Sequence, residues 1–196
     1  MNDLASYEIL LASRSPRRSA LMKELGLPFR VVDTGHVDEH YPEHLREGAI
    51  AQYLAEHKSE VYGYPLGRKQ ILLTADTIVW HRGRELGKPS DREEAIGMLT
   101  SLSGQTHQVY TGVCLRSAKA RRSFYAVTDV RFSRLDPGEI EHYVDRFKPY
   151  DKAGAYGIQE WIGYIAVERI VGSYFNVMGL PIQNVYSELK KCIVQD

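Results

Sequence analysis

A short apolar strand runs directly into a helix near the start of the chain, and this junction constrains the fold more than any other feature. Residues 9–12 (Ile-Leu-Leu-Ala) are typical of a buried strand. Ser15 is a favourable N-cap, Pro16 fits the first helical position, and Gly26 ends the helix. A strand, a tight turn and a helix in this order predict an α/β chain.

Three arginines, Arg14, Arg17 and Arg18, lie around the start of this helix. The N-terminus of a helix carries about half a positive charge, so each cation there costs about 0.3–1 kcal/mol. Backbone N–H groups and guanidinium forks would bind a phosphate, and the bound anion would offset that cost. A basic surface turn with solvated side chains is the alternative that this segment alone leaves open.

The rest of the chain continues to alternate strands with helices. The predicted strands are residues 9–12, 29–32, 71–80, 85–86, 105–115, 123–132 and 164–170, with 105–115 and 123–132 paired as a hairpin. The predicted helices are residues 16–25, 43–62, 90–102, 136–146 and 181–193, the third opened by a capping box of Ser90 and Glu93. We expect a single domain over residues 1–196, with a mixed sheet flanked by helices and two lobes around a cleft.

Charge and composition argue against several classes of partner. Lys+Arg and Asp+Glu both number 25 in 196 residues, so no general attraction to nucleic acid or to a membrane surface is implied. No apolar run approaches the roughly 20 residues of a membrane span, and the first seven residues lack a signal pattern. We therefore expect a cytoplasmic protein whose two distant cysteines are thiols, not a disulfide framework.

Asp76 interrupts the apolar strand predicted over residues 71–80. A buried carboxylate is costly unless it meets a cation, a metal or several hydrogen-bond donors. A bend that exposes Asp76 to solvent is the simpler alternative. Buried beside a cleft, Asp76 would ligate a hard cation or orient a water.

Two lysines are placed where a phosphate could meet them. Lys58 shares the apolar stripe of its predicted helix with Ile50 and Leu54, so it either snorkels to solvent or faces inward. If Asp76 lies opposite, an inward Lys58 would neutralise a phosphate. Lys88 precedes Pro89 at a strand-to-helix junction, where it either reaches an anion or extends from a free loop.

Metal ligands are better sought among carboxylates than among histidines. His36, His40 and His44 recur every four residues, but Pro42 interrupts any helix through them, so we reject a histidine metal site. Asp38 and Glu39 in the same loop suit Mg²⁺, which prefers oxygen ligands.

A glycine-rich segment over residues 151–159 (Asp-Lys-Ala-Gly-Ala-Tyr-Gly-Ile-Gln) is the last candidate. Its glycines permit tight turns or the close approach of a ligand. The amide of Gln159 both donates and accepts, which suits the edge of a nucleobase. On its own this signal is weak, because glycine-rich loops are often only loops.

Four stretches together resemble the Maf family of nucleotide pyrophosphatases. They are residues 11–18 (Leu-Ala-Ser-Arg-Ser-Pro-Arg-Arg), 75–79 (Ala-Asp-Thr-Ile-Val), 86–89 with 102–107, and 151–159 with 172–174 and 179–181. The resemblance covers nearly the whole chain and implies a Maf-like α/β fold related to inosine triphosphate pyrophosphatases. It also implies hydrolysis of a nucleoside triphosphate to the monophosphate and pyrophosphate, in the branch that acts on dTTP and UTP.

The same resemblance implies roles for particular residues. Asp76 takes the proton-acceptor position, and Lys58 and Lys88 join it as catalytic residues. A divalent cation, Mg²⁺ or Mn²⁺, would be held by Glu39 and Asp76. The residues implied in substrate binding are Ser13, Arg17, Arg18, Thr77, Lys152 and Gln159, among which Arg17, Thr77 and Gln159 are linked to substrate choice. A homodimer is a further implication.

Two positions depart from the family pattern, and two other functions stay open. Glu160 stands where a glycine is usual, and His36 lengthens the loop before Glu39. A phosphatase that releases inorganic phosphate is one alternative. A nucleotide-binding regulator of cell division with little turnover is the other, although an intact Asp76 argues against it.

Overall fold

The computed structural model describes residues 4–35 and 37–194, in which strands alternate with helices. The strands are β1 (Glu8–Ala12), β2 (Phe29–Val32), β3 (Gln70–His81), β4 (Arg84–Leu86), β5 (Thr106–Arg116), β6 (Arg121–Phe132) and β7 (Val167–Val171). The helices are α1 (Pro16–Glu24), α2 (Gly48–Val61), α3 (Arg92–Leu102), α4 (Pro137–Phe147), α5 (Trp161–Ala166), α6 (Tyr174–Val177) and α7 (Ile182–Val194).

The strands form one mixed sheet in the order β2-β1-β3-β5-β6-β7, with β4 paired to β3. β1 runs parallel to both of its neighbours, with Leu11 opposite Val31 of β2 and opposite Leu73 of β3. β4 is antiparallel to β3, and β7 is antiparallel to β6. The mixed α/β fold expected from the sequence is confirmed.

The chain divides into two compact units. The first unit comprises the chain up to Asp76, residues Thr111–Ala126, and the chain from Gly179 onward. The second unit comprises Thr77–Tyr110 and Val127–Met178. Whether the chain acts as one domain, and whether a cleft is present, stay predictions.

In the first unit, α2 lies very close to β5. A Cβ built on Gly112 would stand 2.1 Å from the carbonyl oxygen of Ala51, so only glycine allows this approach. Thr74 of β3 donates a hydrogen bond of 2.6 Å to the carbonyl oxygen of Ala55, also in α2. These contacts fix α2, and with it Lys58, against the sheet.

The second unit has a core in which aromatic side chains meet edge to face. The ring of Phe132 lies 5.0 Å from those of His107 and Tyr156. Tyr143 of α4 is fully buried in the same core and stacks on Phe147, with 5.1 Å between ring centroids. A loop over residues 151–160 passes beside this core and carries several candidate site residues.

Most predicted elements are confirmed, and three need correction. The helix predicted from residue 43 begins at Gly48, after a left-handed Glu47 (φ 53°). Asp91, not Ser90, caps α3, because its side chain accepts from the backbone N–H of Glu94. A strand from residue 164 is wrong: residues Trp161–Ala166 are helical.

The error at α5 has a simple physical cause. Ile162 and Ala166, four residues apart, are both fully buried, while Tyr164 between them is 79% exposed. This spacing is helical, and the run of β-favouring side chains conceals it.

Two features of the fold bear on the protein's environment. No helix within residues 4–35 and 37–194 is both long and apolar enough to cross a bilayer. Cys114 and Cys192 are buried thiols and form no disulfide, as the sequence predicts.

Candidate active site

The first unit brings polar side chains to the carboxyl end of β1. From β1 the chain passes through α1 to β2 on one side of β1, and from β2 it passes through α2 to β3 on the other side. Ligands bind α/β sheets at such a reversal of strand order, outside the carboxyl ends of the strands. β1 ends at Ala12, one residue after Leu11, which pairs with Leu73 of β3. β3 continues beyond Leu73, so Asp76 lies past the end of β1.

Asp76 is buried in an unbroken strand, so the alternative of a solvent-exposed bend is wrong. The residue is 9% exposed. The Nζ atom of Lys58 donates a hydrogen bond to Oδ1 of Asp76 and lies 3.0 Å from Oε1 of Glu39. One ammonium group therefore joins two carboxylates that come from a strand and from a loop. Lys58 faces inward instead of snorkelling to solvent.

Arg18 is held by protein oxygen atoms. Its Nε donates to the carbonyl oxygen of Gly179 at 2.7 Å, and one terminal nitrogen donates to the carbonyl oxygen of Ala75 at 2.9 Å. The same nitrogen lies 3.4 Å from Oγ of Ser13. Burial lowers the pKa of the Arg18 guanidinium, and the negative charge of Asp76 opposes that shift. Arg18 thus braces the backbone next to Asp76.

The other two arginines of the first segment have different surroundings. Arg14 is exposed, pairs with Asp33 at 3.7 Å and donates to the carbonyl oxygen of Gly35 at 3.1 Å. Arg17 is half-buried in the first turn of α1. Ser15 is the N-cap residue of α1, although its side chain makes no capping hydrogen bond. The phosphate cradle stays a prediction.

In the second unit, the loop over residues 151–160 is held by ion pairs of the buried Lys152. Nζ of Lys152 lies 2.6 Å from Oδ1 of Asp151 and 3.1 Å from Oε1 of Glu160. The other carboxylate oxygen of Glu160 accepts a hydrogen bond from the hydroxyl of Tyr143. The ammonium of Lys152 therefore interacts with carboxylates of its own loop, and its role in substrate binding stays a prediction.

Gln159 in the same loop has a buried acceptor without a partner among the described residues. Its Oε1 atom is inaccessible to solvent and has no hydrogen-bond partner within the described part of the chain. A buried carbonyl without a donor costs roughly 1–3 kcal/mol. Such an atom is available to a donor from a ligand.

The remaining candidates of the second unit are Thr77 and Lys88. Thr77 follows Asp76 directly in β3 and is partly exposed. Lys88 lies between β4 and α3, at the junction that the sequence predicts, and is exposed. Their roles stay predictions.

The carboxylates of the first unit suit a hard cation. Glu39 and Asp76 supply oxygen atoms around one positive charge, the ammonium of Lys58. Among the described residues, no group of three or more His, Cys, Asp and Glu side chains is placed to hold a metal. Mg²⁺ commonly binds through one or two carboxylates, with the rest of its coordination supplied by water and substrate phosphates. The pair therefore fits this ion.

Neighbouring residues of that loop are less informative. Asp38, the other carboxylate considered there, accepts from the backbone N–H of His40 at 3.1 Å. His36 lies outside the described residues, so its effect on the loop before Glu39 is untested.

Comparison with known proteins shows the family of the chain. The sequence profile described as "Maf-like protein" matches residues 8–192. This chain belongs to the Maf family. Two Maf relatives named dTTP/UTP pyrophosphatase are from Bacteroides fragilis and Bacteroides thetaiotaomicron. The first relative is 54% identical to this chain, and the match covers 96% of this chain and 98% of the relative. The second relative is 51% identical, and the match covers 97% of this chain and 99% of the relative.

One solved structure also aligns with this Maf chain. The Ham1 protein of Staphylococcus aureus is 15% identical, with a TM-score of 0.48, over 92% of this chain and 99% of its own. At that score the likeness adds nothing to the family assignment.

Sequence reasoning missed two features of these sites. It does not anticipate that Arg18 donates hydrogen bonds to the backbone carbonyl oxygens of Ala75 and Gly179, and the role of Arg18 in substrate binding stays a prediction. It also overlooks Tyr143. In the sequence, only its place on the apolar face of α4 distinguishes this residue. Glu160 is noticed only as a departure from the family pattern.

Proposed function

We propose that this protein hydrolyses dTTP and UTP to the nucleoside monophosphate and pyrophosphate. The observation that carries the proposal is the buried Asp76 carboxylate, paired with Lys58 beside Glu39. A carboxylate at that position is costly to bury and is suited to directing a water. Relatives named for this activity share about half of their residues with this chain over nearly its full length.

In the proposed reaction, water attacks the α-phosphorus. A new bond forms between the water oxygen and that phosphorus, the bridging bond to the β-phosphate breaks, and pyrophosphate leaves. Asp76 accepts or directs the proton of the attacking water. Lys58, held at Asp76 in the structure, offsets negative charge on the phosphate oxygens.

We further propose that Glu39 and Asp76 hold a divalent cation, Mg²⁺ or Mn²⁺. A free aspartate has a pKa near 3.9, which makes it a weak base for water at neutral pH. A bound divalent cation makes a coordinated water more acidic and so reduces this mismatch. The two oxygen donors around one positive charge support the assignment.

Choice of base is assigned to Gln159. Uracil and thymine present an N3–H donor beside carbonyl acceptors, and the buried Oε1 of Gln159 has no other donor within the described chain. Cytosine has no hydrogen on N3, so an acceptor that faces this atom would be left unsatisfied. Sites built on hydrogen bonds reject such analogues by orders of magnitude.

The remaining assignments complete the proposal. Arg17, Arg18 and Lys88 neutralise the triphosphate, and Ser13, Thr77 and Lys152 contact the substrate. The protein acts in the cytoplasm, where it removes unwanted nucleotides from the pool, and it forms a homodimer.

A panel of nucleoside triphosphates with product analysis tests the proposal. UTP and dTTP should release pyrophosphate, with CTP a much poorer substrate. Equal rates for all three would remove the proposed role of Gln159. Inorganic phosphate as the first product would indicate a phosphatase, and binding without turnover in both Mg²⁺ and Mn²⁺ would favour a regulatory protein.

A further inference from the structure

We propose that Tyr143, Glu160 and Lys152 form a positioning network that sets the amide of Gln159 for base selection. This inference rests on the proposed function and deepens it, because it names residues that act on substrate choice through Gln159. Tyr143 and Glu160 need not touch the nucleotide to act in this way.

The network ties the loop at both of its ends and in its middle. Lys152 and Glu160, eight positions apart, are joined by an ion pair of 3.1 Å. The hydroxyl of Tyr143 donates to Glu160 and accepts from the backbone N–H of Gly157 at 3.1 Å. Each partner is thereby held from two directions.

Tyr143 gives the network a rigid anchor. It is fully buried in α4 and stacks on Phe147 one turn later. Its hydroxyl is the only group of that side chain able to hydrogen-bond, and the loop uses it both as donor and as acceptor. These hydrogen bonds therefore fix the position of the loop relative to the core of the second unit.

The loop contains an unfavourable backbone conformation that needs such support. Gly154 and Ala155 are consecutive left-handed residues, with φ values of 68° and 58°. The left-handed region is unfavourable for alanine, so this turn persists only where surrounding contacts fix it. The contacts of Gly157 and Glu160 with Tyr143 and Lys152 hold the segment between this turn and α5.

Gln159 immediately precedes Glu160, so a shift of one moves the other. Its buried Oε1 has no partner within the described residues that would hold it in place. The side chain extends from a backbone segment that Glu160 anchors. Misplacement by about 1 Å weakens a directional hydrogen bond and costs orders of magnitude in some enzymes.

Substitutions in the network test this inference by kinetics on UTP, dTTP and CTP. Tyr143→Phe keeps the ring and removes both hydrogen bonds. We expect KM for UTP to rise about tenfold, the scale of one hydrogen bond to a charged group, with kcat within about threefold. The UTP-to-CTP ratio of kcat/KM should fall by a similar factor.

Glu160→Gln and Glu160→Ala provide a second series that does not depend on the folding of Tyr143→Phe. The amide of Glu160→Gln keeps an acceptor for Tyr143, so it should retain more of the UTP-to-CTP ratio than Glu160→Ala does. Tyr110→Phe is the matched control, because it removes another buried tyrosine hydroxyl, one that donates to Gln108 at 2.9 Å. It should leave the ratio unchanged.

A double-mutant cycle with Gln159→Ala decides whether the network acts through that residue. Tyr143→Phe should have little further effect on the ratio once the Gln159 amide is gone. Additive effects, equal losses for UTP and CTP, or an unchanged ratio in both Tyr143→Phe and Glu160→Ala would overturn the inference. Failure of the wild-type protein to release pyrophosphate from any nucleotide would instead overturn the proposed function.

Discussion

The ammonium of Lys58 donates a hydrogen bond to the carboxylate of Asp76, although the two residues lie 18 positions apart on α2 and β3. Neither side chain would be stable alone in this place, because each charge is largely removed from water. Close packing of α2 against β5 at Gly112 brings them together. The pair is thus a product of helix packing and the centre of the proposed chemistry.

Replacing Asp76 with asparagine should abolish turnover and leave nucleotide binding measurable. The amide has nearly the same shape but accepts no proton at neutral pH. Pyrophosphate release and equilibrium binding of UTP measure the two effects. Asp145→Asn, at an exposed carboxylate paired with Arg92, is the control and should keep wild-type turnover. Near-normal release by Asp76→Asn would refute the catalytic role.

Replacing Lys58 with methionine should lower the free energy of unfolding by about 2 kcal/mol, because it leaves Asp76 buried without its cation. Urea denaturation measures this loss. Adding Asp76→Asn to Lys58→Met should recover part of it, since the uncompensated charge is then removed. Equal stability of wild type and Lys58→Met would mean that the ion pair contributes nothing measurable.

Removing divalent cations with a chelator should stop pyrophosphate release, and Mg²⁺ or Mn²⁺ should restore it. The two carboxylates Glu39 and Asp76 are suited to such an ion. Glu39→Gln should raise the concentration of Mg²⁺ needed for half-maximal rate, which a titration measures. Full activity in excess chelator would contradict the proposed cofactor.

Replacing Gly112 with alanine should destabilise the protein by about 1–3 kcal/mol, because the new methyl group overlaps the backbone of α2. Gly97→Ala is a matched control in α3, where a Cβ meets nothing within 4 Å. That change should stabilise by up to about 1 kcal/mol through helix propensity. Thermal or urea denaturation compares the two, and similar values would show that the close approach is not required.

His107 should make the protein less stable at acidic pH. Burial lowers the pKa of His107 to about 3, from an ordinary value of 6.5. Below pH 6.5 the unfolded chain therefore binds a proton at His107, whereas the folded protein binds it only near pH 3. Stability falls across this window as pH decreases, by at most about 1.4 kcal/mol for each pH unit.

The substitution His107→Gln removes this titration. Urea denaturation between pH 7.5 and 4.5 should show the stability difference between wild type and His107→Gln narrowing as pH falls. His44→Gln, at an exposed histidine, should show no such narrowing. A constant difference at all pH values for His107→Gln would contradict the assignment.

Local signals were enough to predict much of the fold and to single out the two side chains of one buried ion pair. Pro16 and Gly26 bracket α1, and the apolar strands fall where their runs predict. An aspartate within β3 and a lysine on the apolar stripe of α2 indicate a buried pair, since a lone charge is costly there. At α5 the local preference for strand gave a wrong prediction, because burial of Ile162 and Ala166 on one helical face overrode the β-favouring composition.

We could infer from the sequence alone the alternation of strands and helices, the family, and which side chains are chemically out of place, because periodicity, capping and charge are local properties of a chain. Three contacts could not be inferred in this way: the oxygen atoms that Arg18 binds, the ammonium that Glu39 shares with Asp76, and the hydrogen bond from Tyr143 to Glu160. Those partners lie on different elements, and the packing of the elements, which follows from the burial of the whole apolar surface, sets the distances between them.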